Sequence, residues 1–338
     1  MKAALFEAVA QPLVLREVPL PVLEQGEVLI ETHSCGICGT DLHILEGHGY
    51  IPRLPHILGH EPSGVVAALG PGVRDLAIGD RVVPSLFFTC NECYYCRVGR
   101  HQQCSSLKGI LGVLSPGAFA EYFKAPAANL FRLPDSVSFD AGGLIADAVV
   151  TALHAAKRGV LTPGSASVVV GAGGVGLCLV QVLVASGVRV AAVDPDVSKQ
   201  DAARTFGAEA AFDPGGALTG IDEWAGADGV QCFYDCVGSK GSLEVTCSGV
   251  MNGGRVIIIG EQQDRLPVTS TEIAQRELEI IGSRNGTRQD MVEAIRLVAS
   301  GKVRPLIAAR FSLHQINEAI QSVREGVVGR VVIKVRGS

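Results

Sequence analysis

The sequence predicts an α/β chain with two architectures in succession, an irregular β-rich first part and a doubly wound parallel sheet behind it. Three observations carry this. Short strands broken by Gly and Pro fill the first 148 or so residues, and regular strand–helix alternation follows. The glycine run Gly171-Ala-Gly173-Gly174-Val175-Gly176 sits at the first strand-to-helix junction of the alternating part.

At 338 residues the chain is long enough for two hydrophobic cores. Hydrophobic residues make up 47% and charged residues 19%, a globular balance. The net charge of −5 and the absence of a basic run argue against nucleic-acid or anionic-membrane partners. The N-terminus meets Glu7 and Gln11 before any long apolar run, so no signal peptide is expected, and no uninterrupted apolar stretch of about eighteen residues occurs, so no membrane span is expected. Ten cysteines without a secretion signal point to a reducing compartment, the cytoplasm.

In the first part, Glu27–Glu31, Gly64–Ala68 and Asp80–Pro84 read as strands, with turns at Gly70-Pro71-Gly72 and Ile78-Gly79-Asp80. A helix is expected from Asp147 through Ala156, stopped by Thr162-Pro163-Gly164. Strands at Ser167–Val170 and Arg189–Val193 enclose a helix from Gly174 to Ser186. Further strands are expected at Gly229–Tyr234, Arg255–Ile259 and Leu278–Ile281. The last segment reads as helices at Gln289–Ser300 and Leu313–Arg324 and a strand at Arg330–Val335.

Cys90, Cys93, Cys96 and Cys104 are separated by two, two and seven residues. Four thiolates complete a tetrahedral zinc shell and leave no position for a substrate, so a metal here is structural. Two disulfides, or unrelated buried thiols, are the alternative.

The glycine run follows a strand and opens a helix, the context in which G-x-G-x-x-G binds a dinucleotide. The helix N-terminus offers free N–H groups and a partial positive charge to phosphates. Asp194, ending the second strand, can accept hydrogen bonds from an adenosine ribose and repels a 2′-phosphate, which favours NAD over NADP. An ordinary helix cap is its plain alternative. Lys199 is placed to reach the same ribose.

Cys35-Gly-Ile-Cys38-Gly-Thr40-Asp41-Leu-His43, Gly59-His60-Glu61 and Asp147 gather further metal ligands. One thiolate, one imidazole and one carboxylate would leave an open, formally neutral zinc site. Read singly, Cys35 and Cys38 could form a knuckle, His60 could be a core histidine, and Asp147 could cap its helix.

On these motifs, from end to end, the chain resembles the zinc-dependent medium-chain alcohol dehydrogenases. The resemblance implies a GroES-like, β-rich catalytic domain over residues 1–148 holding two zinc ions. It also implies a Rossmann NAD-binding domain over 149–284 and a C-terminal segment, 285–338, returning to the catalytic domain. It makes Cys38 rather than Cys35 the first catalytic-zinc ligand, His60 the second and Asp147 the third. Asp147 stands where many members have cysteine. The sequence around it, Leu-Ile-Ala-Asp-Ala-Val-Val-Thr, is similar to bacterial secondary-alcohol dehydrogenases. Glu61 resembles the acid that approaches the zinc during turnover, and Asp41 the carboxylate that orients a zinc-binding imidazole. Thr40 and His43 resemble a proton relay that serves hydride transfer from a zinc-bound alkoxide to NAD. Thr151 lies where the family packs against the nicotinamide, and Arg330 resembles a pyrophosphate ligand. A homodimer or homotetramer is implied, with the four-cysteine lobe at a subunit contact.

Cys178, Cys232, Cys236 and Cys247 read as core thiols, and His33, His56, His101, His154 and His314 as structural. His48, Tyr50, Phe87 and Leu111 are candidates for a substrate pocket. The expected function is interconversion of an alcohol, secondary by preference, and its ketone or aldehyde. A polyol or sugar-alcohol dehydrogenase is the near alternative. A zinc-free quinone or enoyl reductase would not need Cys38, His60 and Asp147 together. A dinucleotide-binding sensor without turnover would not need Thr40 and His43.

Overall fold

The computed structural model describes residues 1–336. It divides into two compact units. The first contains Met1–Asp147, Gly286–Gly301 and the residues from Pro305, and the second contains Ala148–Asn285 with Lys302–Arg304.

In the first unit, a seven-stranded sheet runs in the order Leu130–Arg132, Arg81–Pro84, Glu61–Leu69, Glu27–Ile37, Arg330–Lys334 and Ile307–Ser312. The strand Tyr122–Pro126 pairs with Glu27–Ile37 off this path. Glu27–Ile37 is longer than its alternation predicts, because Thr32 and Ser34 are fully buried although polar. Its length has a consequence for the site. Antiparallel pairing sets Gly36 opposite both Glu61 and Val332, so the end of Glu27–Ile37 meets the starts of Glu61–Leu69 and Arg330–Lys334. Cys38, the His60-Glu61 pair and Arg330 therefore leave the sheet at one level.

A helix beginning at Asp147 is not what forms. The helix starts at Phe139, where the Ser138 hydroxyl accepts the Ala141 N–H at 3.2 Å, and residues Ile145–Val149 make a π-helical turn. The Gly142-Gly143 pair within it allows close packing. A Cβ at Gly143 would lie 2.5 Å from the Glu61 carbonyl oxygen, and one at Gly142 would lie 2.5 Å from Leu133. Asp147 is consequently carried at the centre of the wide turn rather than at a helix cap. The residues Phe139–Gly159 are long and apolar enough to pass for a membrane span, yet 72% of that window is buried in the folded chain. That is the behaviour of a core helix.

The second unit is a six-stranded parallel sheet. Numbering its strands from Ala166–Val170 in chain order gives 3-2-1-4-5-6, the doubly wound arrangement with its switch point between Ala166–Val170 and Val230–Asp235. The expected strands and the helix Gly174–Ala185 form close to their predicted bounds. Val168, Val170, Val193, Ile221, Phe233 and Val256 pack in its core. The thiols of Cys178, Cys232 and Cys247 are buried, and Cys236 is half-buried.

Candidate active site and metal centres

The four-cysteine segment folds so that its sulfurs face one another. The Sγ–Sγ distances are 3.5 Å for Cys90–Cys104, 3.6 Å for Cys93–Cys96, 3.8 Å for Cys93–Cys104 and 4.0 Å for Cys90–Cys96. Disulfides are thereby excluded, since a bridge needs about 2.05 Å. Ligands about 2.3 Å from a tetrahedral zinc lie about 3.8 Å from one another, so the sulfurs already occupy that shell. Backbone N–H groups of Cys93 and Cys90 donate to the sulfurs of Cys90 and Cys104 at 3.3 and 3.4 Å. The Arg288 guanidinium, which sequence reasoning did not single out, donates to Asn91 Oδ1 at 2.8 Å and holds the start of the segment.

The second cluster forms where the three strands end. One donor atom each from Cys38, His60, Glu61 and Asp147 lies within 4.8 Å of the others. Cys38 precedes the short helix Gly39–Leu45, and its backbone N–H donates to Asp41 Oδ2 at 2.9 Å. The other Asp41 oxygen accepts the Gly59 N–H and lies 3.3 Å from His60 Nδ1. Asp41 thus fixes the ring from behind and leaves Nε2, 3.9 Å from Asp147 Oδ2, toward the cluster. Asp147 Oδ2 is 3.6 Å from the Cys38 sulfur. Cys35, by contrast, turns its sulfur to the Gly36 carbonyl at 3.6 Å and takes no part.

The donors fit a resident divalent cation. Glu61 is fully buried, and neither carboxylate oxygen has a hydrogen-bond partner. Buried anionic donors are costly unless cations compensate them, and the single Arg330 guanidinium serves Glu61, Asp147 and Cys38 together. Burial pushes the Glu61 carboxyl up to about 7, with the Arg330 charge acting in the opposite direction. Burial alone would lower the His60 pKa, but Asp41 and Cys38 outweigh it and hold it well above the ordinary imidazole value. Gly36 makes room for this arrangement, because a Cβ there would collide with Glu61 Oε2.

Arg330 departs from expectation. Its Nη2 is 3.0 Å from Glu61 Oε1, 3.4 Å from the Cys38 sulfur and 3.7 Å from Asp147 Oδ2. The side chain is only 12% exposed. The register of the C-terminal strand against Gly36 delivers Arg330 to the carboxylates, a pairing across almost the whole chain that local spacing does not reveal. Thr40 Oγ1 lies 4.0 Å from the Cys38 sulfur, and Thr40 and His43 sit at i and i+3 of one helix, on one face. Phe87 and Leu111 are buried in the core, His48 is exposed and Tyr50 half-buried.

In the second unit, Gly171 has φ +90°, and a Cβ there would lie 2.6 Å from Val237. A Cβ on Gly176 would strike the Gly171 carbonyl, while Gly173 faces open space. No side chain caps the helix at Gly173, so its first N–H groups face outward for an anion. Gly174 and Val175 begin that helix. Asp194 is 5% exposed, and its two oxygens accept the N–H groups of Ala172 at 2.8 Å and Asp196 at 2.9 Å. The cap of the following helix is Asp196, which accepts from Ser198. Lys199 is half-buried on that helix, and Thr151 is buried at the start of the helix Val150–Gly159.

A thiolate-rich closed shell, a mixed open cluster and a dinucleotide fold in one chain are the equipment of a metal-assisted dehydrogenase. The comparisons with known proteins agree. Residues 24–135 match the alcohol dehydrogenase GroES-like domain, and residues 174–300 match the zinc-binding dehydrogenase family. An alcohol dehydrogenase of Geobacillus stearothermophilus is 36% identical over 99% of this chain and 100% of its own length. A sorbitol dehydrogenase of Bacillus subtilis is 31% identical over 95% of this chain and 93% of its own. The crystal structure of an alcohol dehydrogenase from Aeropyrum pernix superposes with a TM-score of 0.93 at 30% identity, covering 99% of this chain and 100% of that one. The chain belongs to the zinc-dependent medium-chain alcohol dehydrogenase family and is an NAD-dependent oxidoreductase of CH–OH donors.

Proposed function

We propose that the chain oxidises secondary alcohols to ketones reversibly, with Cys38, His60 and Asp147 holding the catalytic zinc and Cys90, Cys93, Cys96 and Cys104 a structural one. The observation that carries this is the buried sulfur, nitrogen and oxygen donor set around Cys38, with the fully buried Glu61 carboxylate beside it.

When bound, zinc supplies the Lewis acidity that brings an alcohol hydroxyl within reach of deprotonation near neutral pH. Thr40 Oγ takes the proton released from the substrate hydroxyl while giving up its own, and His43, reached through the nicotinamide ribose, passes a proton to solvent. The Arg330 guanidinium holds Glu61 as an ion pair at 3.0 Å, and Glu61 would be the carboxylate at hand to approach a metal held by Cys38, His60 and Asp147. Asp41, 3.3 Å from His60 Nδ1, would orient the ring so that Nε2 is the atom available to zinc. NAD is the hydride acceptor. Gly171, Gly173, Gly174, Val175 and Gly176 carry its pyrophosphate, Asp194 and Lys199 its adenosine ribose, and Thr151 packs against its nicotinamide. Arg330 balances charge at the metal cluster in addition to the pyrophosphate role that the resemblance implies for it. A cytoplasmic homodimer or homotetramer belongs to the same proposal.

The preference for secondary alcohols rests on Asp147 and the sequence around it. The sorbitol dehydrogenase relative favours a polyol as the second reading. NADH formation across matched primary, secondary, cyclic and polyol substrates separates them. A secondary alcohol should exceed the primary alcohol of equal carbon number in kcat/KM by roughly tenfold or more, the scale that one pocket contact supplies. A polyol at the head of the series would replace the first reading with the second, and no turnover on any substrate would contradict both.

A further inference from the structure

One buried carboxylate in the first unit has no part in proton transfer or metal binding. Asp140 is 6% exposed and lies on the helix Phe139–Leu144, about two helical turns before Asp147. It gathers three donors. Ser34 Oγ donates to Oδ1 at 2.8 Å, Lys334 Nζ to the same oxygen at 2.9 Å, and Arg310 Nε to Oδ2 at 2.7 Å. Burial would raise the Asp140 pKa, but these three partners outweigh it and keep the carboxyl below its ordinary value.

The three donors come from three adjacent strands. Ser34 and Lys334 are direct cross-strand partners, as are Lys334 and Ser312, and Arg310 pairs with Val332 beside them. Ser34 precedes Cys38 by four residues on the chain, and Lys334 follows Arg330 by four. One carboxylate thus ties the helix bearing Asp147 to the strands bearing Cys38 and Arg330. Ser63 adds a bond from the strand bearing Glu61, its hydroxyl donating to the Phe139 carbonyl. A helix held by small contacts can slide along a sheet face. A charge-assisted fork to three strands fixes where it stops.

We propose that Asp140 is a positioning residue that sets the axial placement of the Asp147 turn against Cys38 and so governs the affinity of this cluster for its metal. The proposal rests on Cys38, His60 and Asp147 being the catalytic-zinc ligands. Groups that orient metal ligands from outside the coordination shell typically change affinity by 10–100-fold when removed. Asp140→Ala leaves the helix without its fork, Asp140→Asn keeps an acceptor for Ser34 without the ion pairs, and Asp140→Glu keeps the charge.

The test is cobalt titration of the metal-free full-length chain, following separately the absorption of the four-thiolate site and of the single-thiolate cluster. Cys38→Ser identifies the cluster band by removing it. Asp140→Ala should weaken cobalt binding at the cluster by about 10–100-fold and leave the four-thiolate site within about twofold. Asp140→Asn should fall between, and Asp140→Glu should recover most of the affinity. Equal weakening at both sites, or a lowered Tm with unchanged cluster affinity, would overturn the proposal and leave Asp140 as a fold-stabilising residue only. Should Asp140→Ala fail to fold, Lys334→Met with Arg310→Met removes both cations, and unchanged cluster affinity in that variant overturns the proposal equally. Wild-type protein showing only the four-thiolate band would contradict the ligand assignment itself, and this proposal with it.

Discussion

Cys38→Ser is expected to lose one zinc per chain and about a thousandfold or more of kcat/KM, while still binding NADH. A serine hydroxyl stays protonated where a thiol ionises, so the cluster loses its soft anionic donor. Lewis-acid activation contributes several kcal/mol to the barrier, and each 1.36 kcal/mol is tenfold in rate, which gives the thousandfold figure. Glu61 is close enough to share the vacated coordination position, so residual metal should fall further in Cys38→Ser combined with Glu61→Gln. Cys35→Ser is the control. Its sulfur faces the Gly36 carbonyl and not the cluster, so both zinc ions should remain. Metal content and initial rate on the same preparations decide the matter, and full activity in Cys38→Ser would remove the catalytic-metal assignment.

Asp194→Gly is expected to raise the ratio of kcat/KM for NADP over NAD by about a hundredfold. A carboxylate beside a 2′-phosphate is a like-charge juxtaposition costing several kcal/mol, and removing it relieves that cost. The structure adds a second effect. Asp194 Oδ2 braces the Ala172 N–H of the glycine loop, so the variant should also raise KM for NAD. Asp194→Asn would keep one bracing oxygen without the charge, and it should gain NADP use with a smaller rise in KM for NAD. A ratio that stays put in both variants would show that Asp194 serves the loop alone.

The parts of this molecule that were legible in the sequence are those whose logic is local. The glycine run, its flanking strand and helix, and the four-cysteine spacing each carry their geometry within a few residues, and each takes the form that the spacing implies. The doubly wound sheet follows from alternation. What was not legible depends on register. The strand Glu27–Ile37 continues past Glu31 because buried neighbours accept Thr32 and Ser34, which alternation cannot show. The strand Ile307–Ser312 went unread because Ala-Ala-Arg is a weak strand signal. Asp147 is visible as a candidate ligand, but its π-helical turn is not, since the packing of Gly143 against the Glu61 carbonyl that lets the helix start at Phe139 is a contact remote in sequence. The contacts of Arg330 with Glu61, Cys38 and Asp147 are not legible either, because nothing near it in sequence names them as its neighbours. Asp140 escaped notice for the same reason, its three partners lying on strands remote in sequence.

The claim on which the rest depends is that two zinc ions occupy two chemically different sites, one all-sulfur and one mixed. X-ray absorption at the zinc edge of wild type and Cys38→Ser reads this directly. Wild type should contain two zinc ions per chain, with an average shell that mixes sulfur at about 2.3 Å and nitrogen or oxygen at about 2.0–2.1 Å. Cys38→Ser should retain one zinc with four sulfurs and no light-atom ligand. An all-sulfur shell with one zinc in wild type, or an unchanged mixed shell with two zinc ions in Cys38→Ser, would contradict the account.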